Sequence, residues 1–258
     1  MKQISIWLSI LVVGTFLAVG CGGGKKDEAQ ESAGSGEATT TVDAATAATI
    51  TGKVAFDGAA PAKGEPIKMN ADPNCVKMHT EAVYDMPVEV NANKTLKNVF
   101  VYVKSGLSGK FPAPSTPVEI DQKGCMYSPH VFGIQVGQKL VIKNDDPTLH
   151  NIHARPVVNA QFNAAQPVQG MTTEKSFDKP EVMVPFRCDV HNWMNAYCGV
   201  VDNPYFAVTG DDGTFSIKGL PPGTYTIETW QEKYGVQDQT VTVAAKETKD
   251  ITVSYKGQ

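Results

Sequence analysis

The sequence predicts an all-β protein built from β-sandwiches. No stretch keeps an amphipathic 3.6-residue pattern for more than two turns, so long helices are not expected. Short segments of alternating apolar and polar residues recur instead, each bounded by glycine, proline, asparagine or aspartate. Roughly two hundred residues carry this pattern, which is enough chain for one large or two small domains with hydrophobic cores.

The beginning of the chain predicts export. An apolar run from Ile4 to Val19 is too short for a confident membrane span and is typical of a signal peptide. It ends in Leu17-Ala-Val-Gly-Cys21, which resembles a bacterial lipoprotein processing site. The resemblance implies that residues 1–20 are removed and that Cys21 carries lipid. Because Gly22 follows rather than aspartate, it also implies the outer membrane, facing the periplasm. An ordinary secretory cleavage that leaves Cys21 as a free thiol is the alternative.

Residues 21–48 are predicted to form a flexible tether. From Gly22 to Ala48 the chain is rich in Gly, Ala, Thr and Glu, and it contains no aromatic residue. Such a segment cannot bury enough apolar surface to offset the entropy lost on ordering. We therefore expect the folded part to contact the membrane only through the N-terminal lipid.

The charge of the chain argues against one class of function. The formal net charge is -4, and no cluster of basic residues is present. Nucleic-acid binding is not expected, because it requires a positively charged surface.

The folded part is predicted as a series of strands in chain order. The first six are Thr49–Phe56, Leu96–Lys104, Val131–Val136, Lys139–Lys143, Glu181–Arg187 and Ala196–Val201. A turn at Asn144–Thr148 leads to His150. Ala207–Ile217 is predicted as a hairpin around Asp212-Gly213. The last predicted strands are Gly219–Ile227, Gln239–Val243 and Asp250–Tyr255.

The loop between the strands at 181–187 and 196–201 carries the residues that predict the chemistry. Cys188, His191 and Met194 occur at the spacing C-x2-H-x2-M. A thiolate, an imidazole and a thioether are soft ligands that suit copper, and a blue-copper site combines two His and one Cys with a long axial Met. The loop supplies three of these four ligands.

The second histidine ligand is expected from another strand. His150 and His153, in the stretch Leu149-His-Asn-Ile-His153, are the candidates. Residues three positions apart point to opposite faces of a strand, so only one of the two can face the loop. His79 and His130 have no partner at metal-ligand spacing and are expected in turns or at the surface.

The loop and the His-Asn-x-His stretch, in this order, resemble the cupredoxin family, and amicyanin- and plastocyanin-like members most closely. The resemblance covers residues 96–202 and implies a Greek-key β-sandwich with one type 1 copper ion. The ligands that it implies are His150, Cys188, His191 and Met194. Since cupredoxins place Asn directly after the upstream histidine, it favours His150 over His153 and gives Asn151 a hydrogen bond to the Cys sulfur. It also implies that His191 is exposed and passes electrons to and from a redox partner.

The C-terminal part resembles the carboxypeptidase regulatory-like domain. The run Asp212-Gly-Thr-Phe-Ser-Ile-Lys-Gly-Leu-Pro-Pro-Gly-Thr-Tyr225 carries this resemblance. The family is a small transthyretin-like sandwich, and a strand like Ile50–Gly58 comes first in it. We therefore expect residues 49–95 and 203–258 to form one discontinuous sandwich, with the copper-binding unit inserted into it or packed beside it. The resemblance implies a scaffolding role for this unit.

Five cysteines need assignment. With Cys21 given to lipid and Cys188 to metal, three remain, and an oxidising periplasm permits a disulfide between two of them. Elimination favours Cys75–Cys125, because both lie in loop-like settings. Cys198 is in mid-strand and is expected to pack as a small apolar residue. A pair between Cys188 and Cys198 is the alternative.

These features favour a blue copper protein that carries single electrons and transforms no substrate. A multicopper oxidase would need further His-x-His pairs, and the chain has only 5 His. A binuclear copper centre would need a second cysteine in the loop before His191. The rival hypothesis is a lipoprotein without metal that binds or supports other molecules through its sandwich surfaces. Metal analysis with a visible spectrum would separate the two.

Overall fold

The computed structural model describes residues 42–257. The predicted signal peptide, the lipidation at Cys21 and most of the tether lie outside the described residues. In chain order the elements are β1 (Ala48–Asp57), α1 (Pro73–Lys77), β2 (Phe100–Ser105), β3 (Val118–Lys123), β4 (Met126–Ser128), β5 (Val131–Gln135), β6 (Leu140–Asn144), β7 (His150–Ala154), β8 (Phe162–Gln166), β9 (Met171–Lys175), β10 (Glu181–Arg187), β11 (Asn195–Val201), β12 (Phe206–Val208), β13 (Thr214–Leu220), β14 (Gly223–Gln231), β15 (Gly235–Val243) and β16 (Thr248–Lys256). The prediction of an all-β sandwich fold is confirmed. Within residues 42–257, no helix is long and apolar enough to cross a membrane.

Strands from both ends of the described chain form one sandwich, called the terminal sandwich here. It consists of the sheet β13-β1-β16 and the sheet β12-β2-β14-β15. β1 runs antiparallel to β13 and parallel to β16. Ile50, Val54 and Phe56 of β1 are buried between the sheets, as the alternation of a half-buried strand requires.

The strands in the middle of the chain form a second sandwich, the central sandwich. Its sheets are β5-β11-β10-β7-β8 and β4-β3-β6-β9. β10 and β11 are antiparallel neighbours, with Arg187 opposite Asn195, so they hold the loop 188–194 at one end of the sheet. β7 pairs with the other side of β10, where His153 lies opposite Arg187. This pairing brings the His150 strand beside the loop.

Strand β2 does not lie in the central sandwich. The cupredoxin resemblance covers residues 96–202 and so includes Leu96–Lys104 in the copper-binding unit, but β2 pairs with β12 and β14. Val101 and Val103 are buried in the terminal core, while Phe100 is buried on the other face of the sheet. Alternation predicts that a segment is a strand, but apolar residues on both faces do not indicate which strands are its partners.

The predicted hairpin at Ala207–Ile217 is wrong. β12 pairs with β2 and β13 pairs with β1, so the strands on the two sides of Asp212-Gly213 lie in different sheets. The hydroxyl of Thr209 donates to the carbonyl of Leu96 over 2.7 Å, which holds the end of β12 beside β2. The Asp-Gly turn therefore carries the chain from one sheet to the other.

The two sandwiches belong to one compact unit and meet at a small third core. Phe100 of the terminal sandwich packs there against Gly133 and Gly199, which are opposite each other on β5 and β11. A Cβ at Gly199 would lie 2.4 Å from the Phe100 ring, and one at Gly133 would lie 2.7 Å from it. The two glycines leave a flat area of backbone on which the ring lies.

A polar contact borders this third core. His130 Nε2 lies 2.7 Å from the Glu232 carboxylate, and the Tyr197 hydroxyl donates to the same carboxylate over 2.9 Å. Burial lowers the pKa of His130, but the hydrogen bond and charge of Glu232 outweigh it, so the pKa is raised overall. His130, expected in a turn or at the surface, thus connects the two sandwiches.

The chain between β1 and β2 reaches over the central sandwich. Residues 69–79, called the cap here, include α1, whose N-cap Asp72 accepts a hydrogen bond from the Asn74 N–H over 2.8 Å. Met69 and Cys75 are buried in the central core. Cys75 is joined to Cys125 by a disulfide with an S–S distance of 1.96 Å. This is the pair that elimination favours, and it fixes the cap to the central sandwich.

Candidate metal centre

The loop 188–194 is closed by its own backbone. The Cys188 N–H donates to the Met194 carbonyl over 3.2 Å, and the Met194 N–H donates to the His191 carbonyl over 2.9 Å. The His191 N–H in turn donates to Cys188 Sγ over 3.3 Å. These bonds hold the thiol and the imidazole on the same side of a tight turn.

Three ligand atoms converge beneath this loop. His150 Nδ1 lies 2.9 Å from His191 Nδ1, and Cys188 Sγ lies 4.0 Å from His191 Nδ1. All three atoms are within 4.8 Å of one another, and all three residues are buried. One metal ion could therefore contact two imidazole nitrogens and one sulfur at this point.

Only one of the two upstream histidines belongs to the cluster. His150 is fully buried and belongs to the cluster, whereas His153 lies on the other side of β7, with its Nδ1 3.1 Å from the Asp189 carboxylate. Cys75 and Cys125 also lie close to the imidazoles. Because their sulfurs form a disulfide, neither offers a thiolate to a metal.

The electrostatics of the cluster favour an ionised thiol. Burial raises the pKa of Cys188, but hydrogen bonds with His150 and His191 and from backbone N–H groups outweigh it and lower the pKa to about 6. Burial lowers the pKa of His150, but the hydrogen bonds to Asp146 and Cys188 raise it to about 9. Cys188 is thus a thiolate near neutral pH, which is the form that binds metal.

Asn151 joins the loop to β7. Its Oδ1 accepts the Asp189 N–H over 2.6 Å and lies 3.3 Å from Cys188 Sγ, from which it accepts a hydrogen bond only while Cys188 carries its proton. The Tyr127 hydroxyl donates to the Asn151 carbonyl over 2.5 Å. Asn151 therefore contacts the sulfur with its side-chain oxygen, and the hydrogen bond to the Cys188 sulfur that the resemblance implies stays a prediction.

Two carboxylates that are not among the residues predicted from the sequence contact the far side of the imidazoles. Asp146 Oδ2 lies 2.8 Å from His150 Nε2, and Asp72 Oδ2 lies 3.2 Å from His191 Nε2. Burial raises the pKa of Asp146, but its hydrogen bonds with His150 and with two backbone N–H groups keep the pKa below its ordinary value. Asp146 could have been recognised as a partner of His150, because it lies four residues before it in a predicted turn. Asp72 is 119 residues from His191, and no feature of the sequence indicates that the two are in contact.

His191 is not exposed, contrary to what the resemblance implies. Its relative exposure is 2%. The cap covers its outer edge, where Cys75 Sγ lies 3.6 Å from Nε2, and the Trp193 ring lies beside it with the centroids 5.0 Å apart. The cap lies outside the segment that carries the resemblance, so the resemblance could not reveal it.

Met194 and Cys198, the other two sulfur-containing residues beside the loop, are also buried. Met194 is fully buried in the central core together with Cys188, and its place as an axial ligand stays a prediction. Cys198 is a free, buried thiol in the same core, and burial raises its pKa. Cys188 is free as well, so the alternative pair of Cys188 with Cys198 is absent.

The donor set fits copper. Two imidazole nitrogens and one thiolate around a point, with a thioether in the same loop, are the ligands of a type 1 copper site. Each imidazole also has a carboxylate at its second nitrogen, which is the usual arrangement around metal-binding histidines.

Comparisons with known proteins match parts of the chain. The family model of the carboxypeptidase regulatory-like domain matches residues 200–256. Rhamnogalacturonate lyase A from Emericella nidulans is 40% identical over 57 residues, which cover 21% of this chain and 11% of the lyase. The chain thus spans about a tenth of the length of this curated relative.

Solved structures also match part of the chain. A purple cupredoxin from Nitrosopumilus maritimus is 24% identical, covers 32% of this chain and 98% of its own, and gives a TM-score of 0.28. A Cu-containing nitrite reductase from Thermus scotoductus is 22% identical, with 38% of this chain and 25% of its own covered and a TM-score of 0.29. A mutant of amicyanin in its Cu(I) form is 15% identical, with 39% and 97% covered and a TM-score of 0.30. The candidate metal site is supported by the distances between its own residues and by their burial, not by these matches.

Proposed function

We propose that this protein binds one copper ion and carries single electrons between redox partners. The proposed ligands are His150, Cys188, His191 and Met194. The observation that carries the proposal is the convergence of His150 Nδ1, His191 Nδ1 and Cys188 Sγ in a buried cluster. Copper, when bound, would supply a one-electron couple between Cu(II) and Cu(I).

The surrounding residues support electron transfer rather than catalysis. The loop is closed by backbone hydrogen bonds between two paired strands, so its ligands would keep their positions in both oxidation states. Cys188, His150 and His191 are each at most 2% exposed. A substrate could not reach the metal past this shell, whereas an electron needs no open path.

The proposed location is the bacterial cell envelope. We propose that Cys21 is lipidated, that the lipid holds the protein at the outer membrane, and that the terminal sandwich serves as a scaffold. The Cys75–Cys125 disulfide is compatible with an oxidising compartment such as the periplasm. Mass spectrometry of the mature N-terminus should find a lipid on Cys21, and Cys21→Ser should release the protein or leave it unprocessed. An unlipidated terminus elsewhere would exclude the lipid anchor at the outer membrane.

The copper proposal is tested by metal analysis and visible spectroscopy. Protein loaded with Cu(II) should contain one copper per chain and be intensely coloured, because the Cys188 thiolate donates charge to the metal. Cys188→Ser should abolish the colour, and His150→Ala should weaken or reshape the site. His153→Ala is the matched control and should keep both copper and colour, since His153 contacts Asp189 outside the cluster. A wild type that binds no copper would favour the rival hypothesis of a metal-free binding lipoprotein.

A further inference from the structure

Asp72 covers the outer edge of the His191 imidazole. Its Oδ2 lies 3.2 Å from His191 Nε2 and accepts the Thr148 hydroxyl over 2.5 Å. Its Oδ1 accepts the backbone N–H of Asn74 over 2.8 Å. Both carboxylate oxygens are thus held by donors, and one of them faces the histidine.

The other imidazole has an equivalent partner. His150 Nε2 lies 2.8 Å from Asp146 Oδ2, and Asp146 also accepts the N–H groups of Gly124 and Cys125 over 2.8 and 2.7 Å. Each histidine therefore faces the cluster with Nδ1 and a carboxylate with Nε2. When the imidazoles are neutral and hold a metal, this arrangement would place the N–H on Nε2 and leave Nδ1 to bind the metal.

The disulfide connects the segments that hold these two carboxylates. Cys75 lies three residues after Asp72 in the cap, and the N–H of its partner Cys125 is bonded to Asp146. Both half-cystines are fully buried, and Cys75 Sγ is 3.6 Å from His191 Nε2. The covalent bond therefore keeps Asp72 in place against a histidine that is distant in the sequence.

Building on the copper function proposed above, we propose that Asp72 is a positioning residue that lowers the reduction potential of the centre, and that the Cys75–Cys125 bond holds it there. A carboxylate that accepts the Nε2 proton makes Nδ1 a stronger donor to metal. Its negative charge also favours the more highly charged Cu(II) over Cu(I). Asp72 itself does not touch the ligand atoms Nδ1 or Sγ that define the cluster.

The test compares Asp72→Asn with wild type in the copper-loaded protein. Asparagine keeps the size and the capping oxygen but removes the charge. We expect copper to stay bound and the ratio of Cu(I) to Cu(II) affinity to rise about tenfold, which for one electron is a potential about 59 mV higher. Asp145→Asn is the charge-matched control, since Asp145 is exposed and its carboxyl faces Asp121. This variant should shift the reduction potential much less than Asp72→Asn does. Equal potentials for wild type and Asp72→Asn would overturn the proposal.

A double-mutant cycle tests the part played by the disulfide. Cys75→Ser with Cys125→Ser should raise the potential in the wild-type background and change it little in the Asp72→Asn background, because the bond acts through Asp72. Additive shifts would show that the disulfide acts by another route. If the cysteine variants do not fold, the comparison of Asp72→Asn with Asp145→Asn still decides the role of Asp72.

Nuclear magnetic resonance of the metal-free protein gives a readout that does not need copper. The Nε2 proton of His191 should exchange slowly with solvent in wild type and quickly in Asp72→Ala. Its exchange rate in Thr148→Val should lie between these two rates. Fast exchange in wild type would refute the contact. A wild type with slow exchange and no copper affinity would instead refute the copper function and leave the contact intact.

Discussion

At the scale of single residues, Met194 is expected to differ in role from the other three ligands. As the long axial ligand that the resemblance implies, it would contribute little to holding copper and would mainly set the potential. Met194→Gln should keep copper and colour, and its potential should fall by about 59 mV, a tenfold change in relative affinity, because an oxygen donor favours Cu(II). Voltammetry measures this, and Met171→Gln, at a half-exposed methionine on β9, is the control. An unchanged potential would mean that Met194 is not axial.

The sequence predicts the part of the site that is local in the chain. The spacing of Cys188, His191 and Met194 is visible because a single tight turn holds them, and His150 follows from the adjacent Asn151. Asp72 could not be predicted, because its contact with His191 depends on the path of a cap 119 residues away. For the same reason, the burial of His191 could be learned only from the structure.

At the scale of elements, the contact between the sandwiches depends on two glycines. Gly199→Ala should lower the free energy of unfolding by about 1–3 kcal/mol, because its Cβ would overlap the rigid Phe100 ring. Gly210→Ala is the matched control, since a Cβ there meets nothing within 4 Å. Denaturant unfolding gives both values. Adding Phe100→Leu to Gly199→Ala should restore part of the lost free energy of unfolding. An unchanged free energy of unfolding in Gly199→Ala would contradict the close contact between Gly199 and Phe100.

The contact of His130 with Glu232 predicts a pH dependence. The pKa of His130 in the folded state is raised above the ordinary value of 6.5, so its stabilising contribution is complete below pH 6.5 and is lost as the pH rises through the folded pKa. The free energy of unfolding of wild type minus that of Glu232→Gln should therefore shrink as the pH rises above 6.5. Urea titrations over a pH series measure it. Glu174→Gln, an exposed partner of Lys139, should show no such trend; a constant difference for Glu232→Gln would mean that His130 is not charged.

Alternation predicts most of the strands but not their partners. The segment at Thr49–Phe56 is predicted within one residue at each end, because one of its faces is apolar and the other polar. The unit of β2 and the partner strand of β12 are predicted wrongly, and for β2 the reason is physical. Phe100 is buried on one face of β2 and Val101 on the other. Because both faces of this strand are apolar, its sequence does not specify which sheet the strand joins.

At the scale of the whole molecule, the two sandwiches are interleaved along the chain. β1 lies in the terminal sandwich, the cap packs on the central sandwich, and β2 lies in the terminal sandwich again. β3–β11 then form the central sandwich, and β12–β16 complete the terminal one. We expect metal-free mature protein to unfold in one cooperative transition. Trp193→Phe leaves Trp230 as a fluorescent reporter in the terminal sandwich, and Trp230→Phe leaves Trp193 in the central one. Coincident midpoints support the expectation, and separate midpoints would show independent unfolding.

If the protein carries electrons as proposed, the burial of His191 would affect the speed of each transfer. A carrier with an exposed imidazole brings its metal close to the partner but must reorient the water around that imidazole at every transfer. Here the cap and the Trp193 ring replace that water with fixed groups, so the reorganisation energy should be small. The cost is a longer tunnelling distance, since a partner at this end approaches no closer than the thickness of the cap. In such a carrier, the half-buried indole of Trp193, whose N–H is bonded to the Cys125 carbonyl over 2.9 Å, would offer the electron an aromatic route past the disulfide.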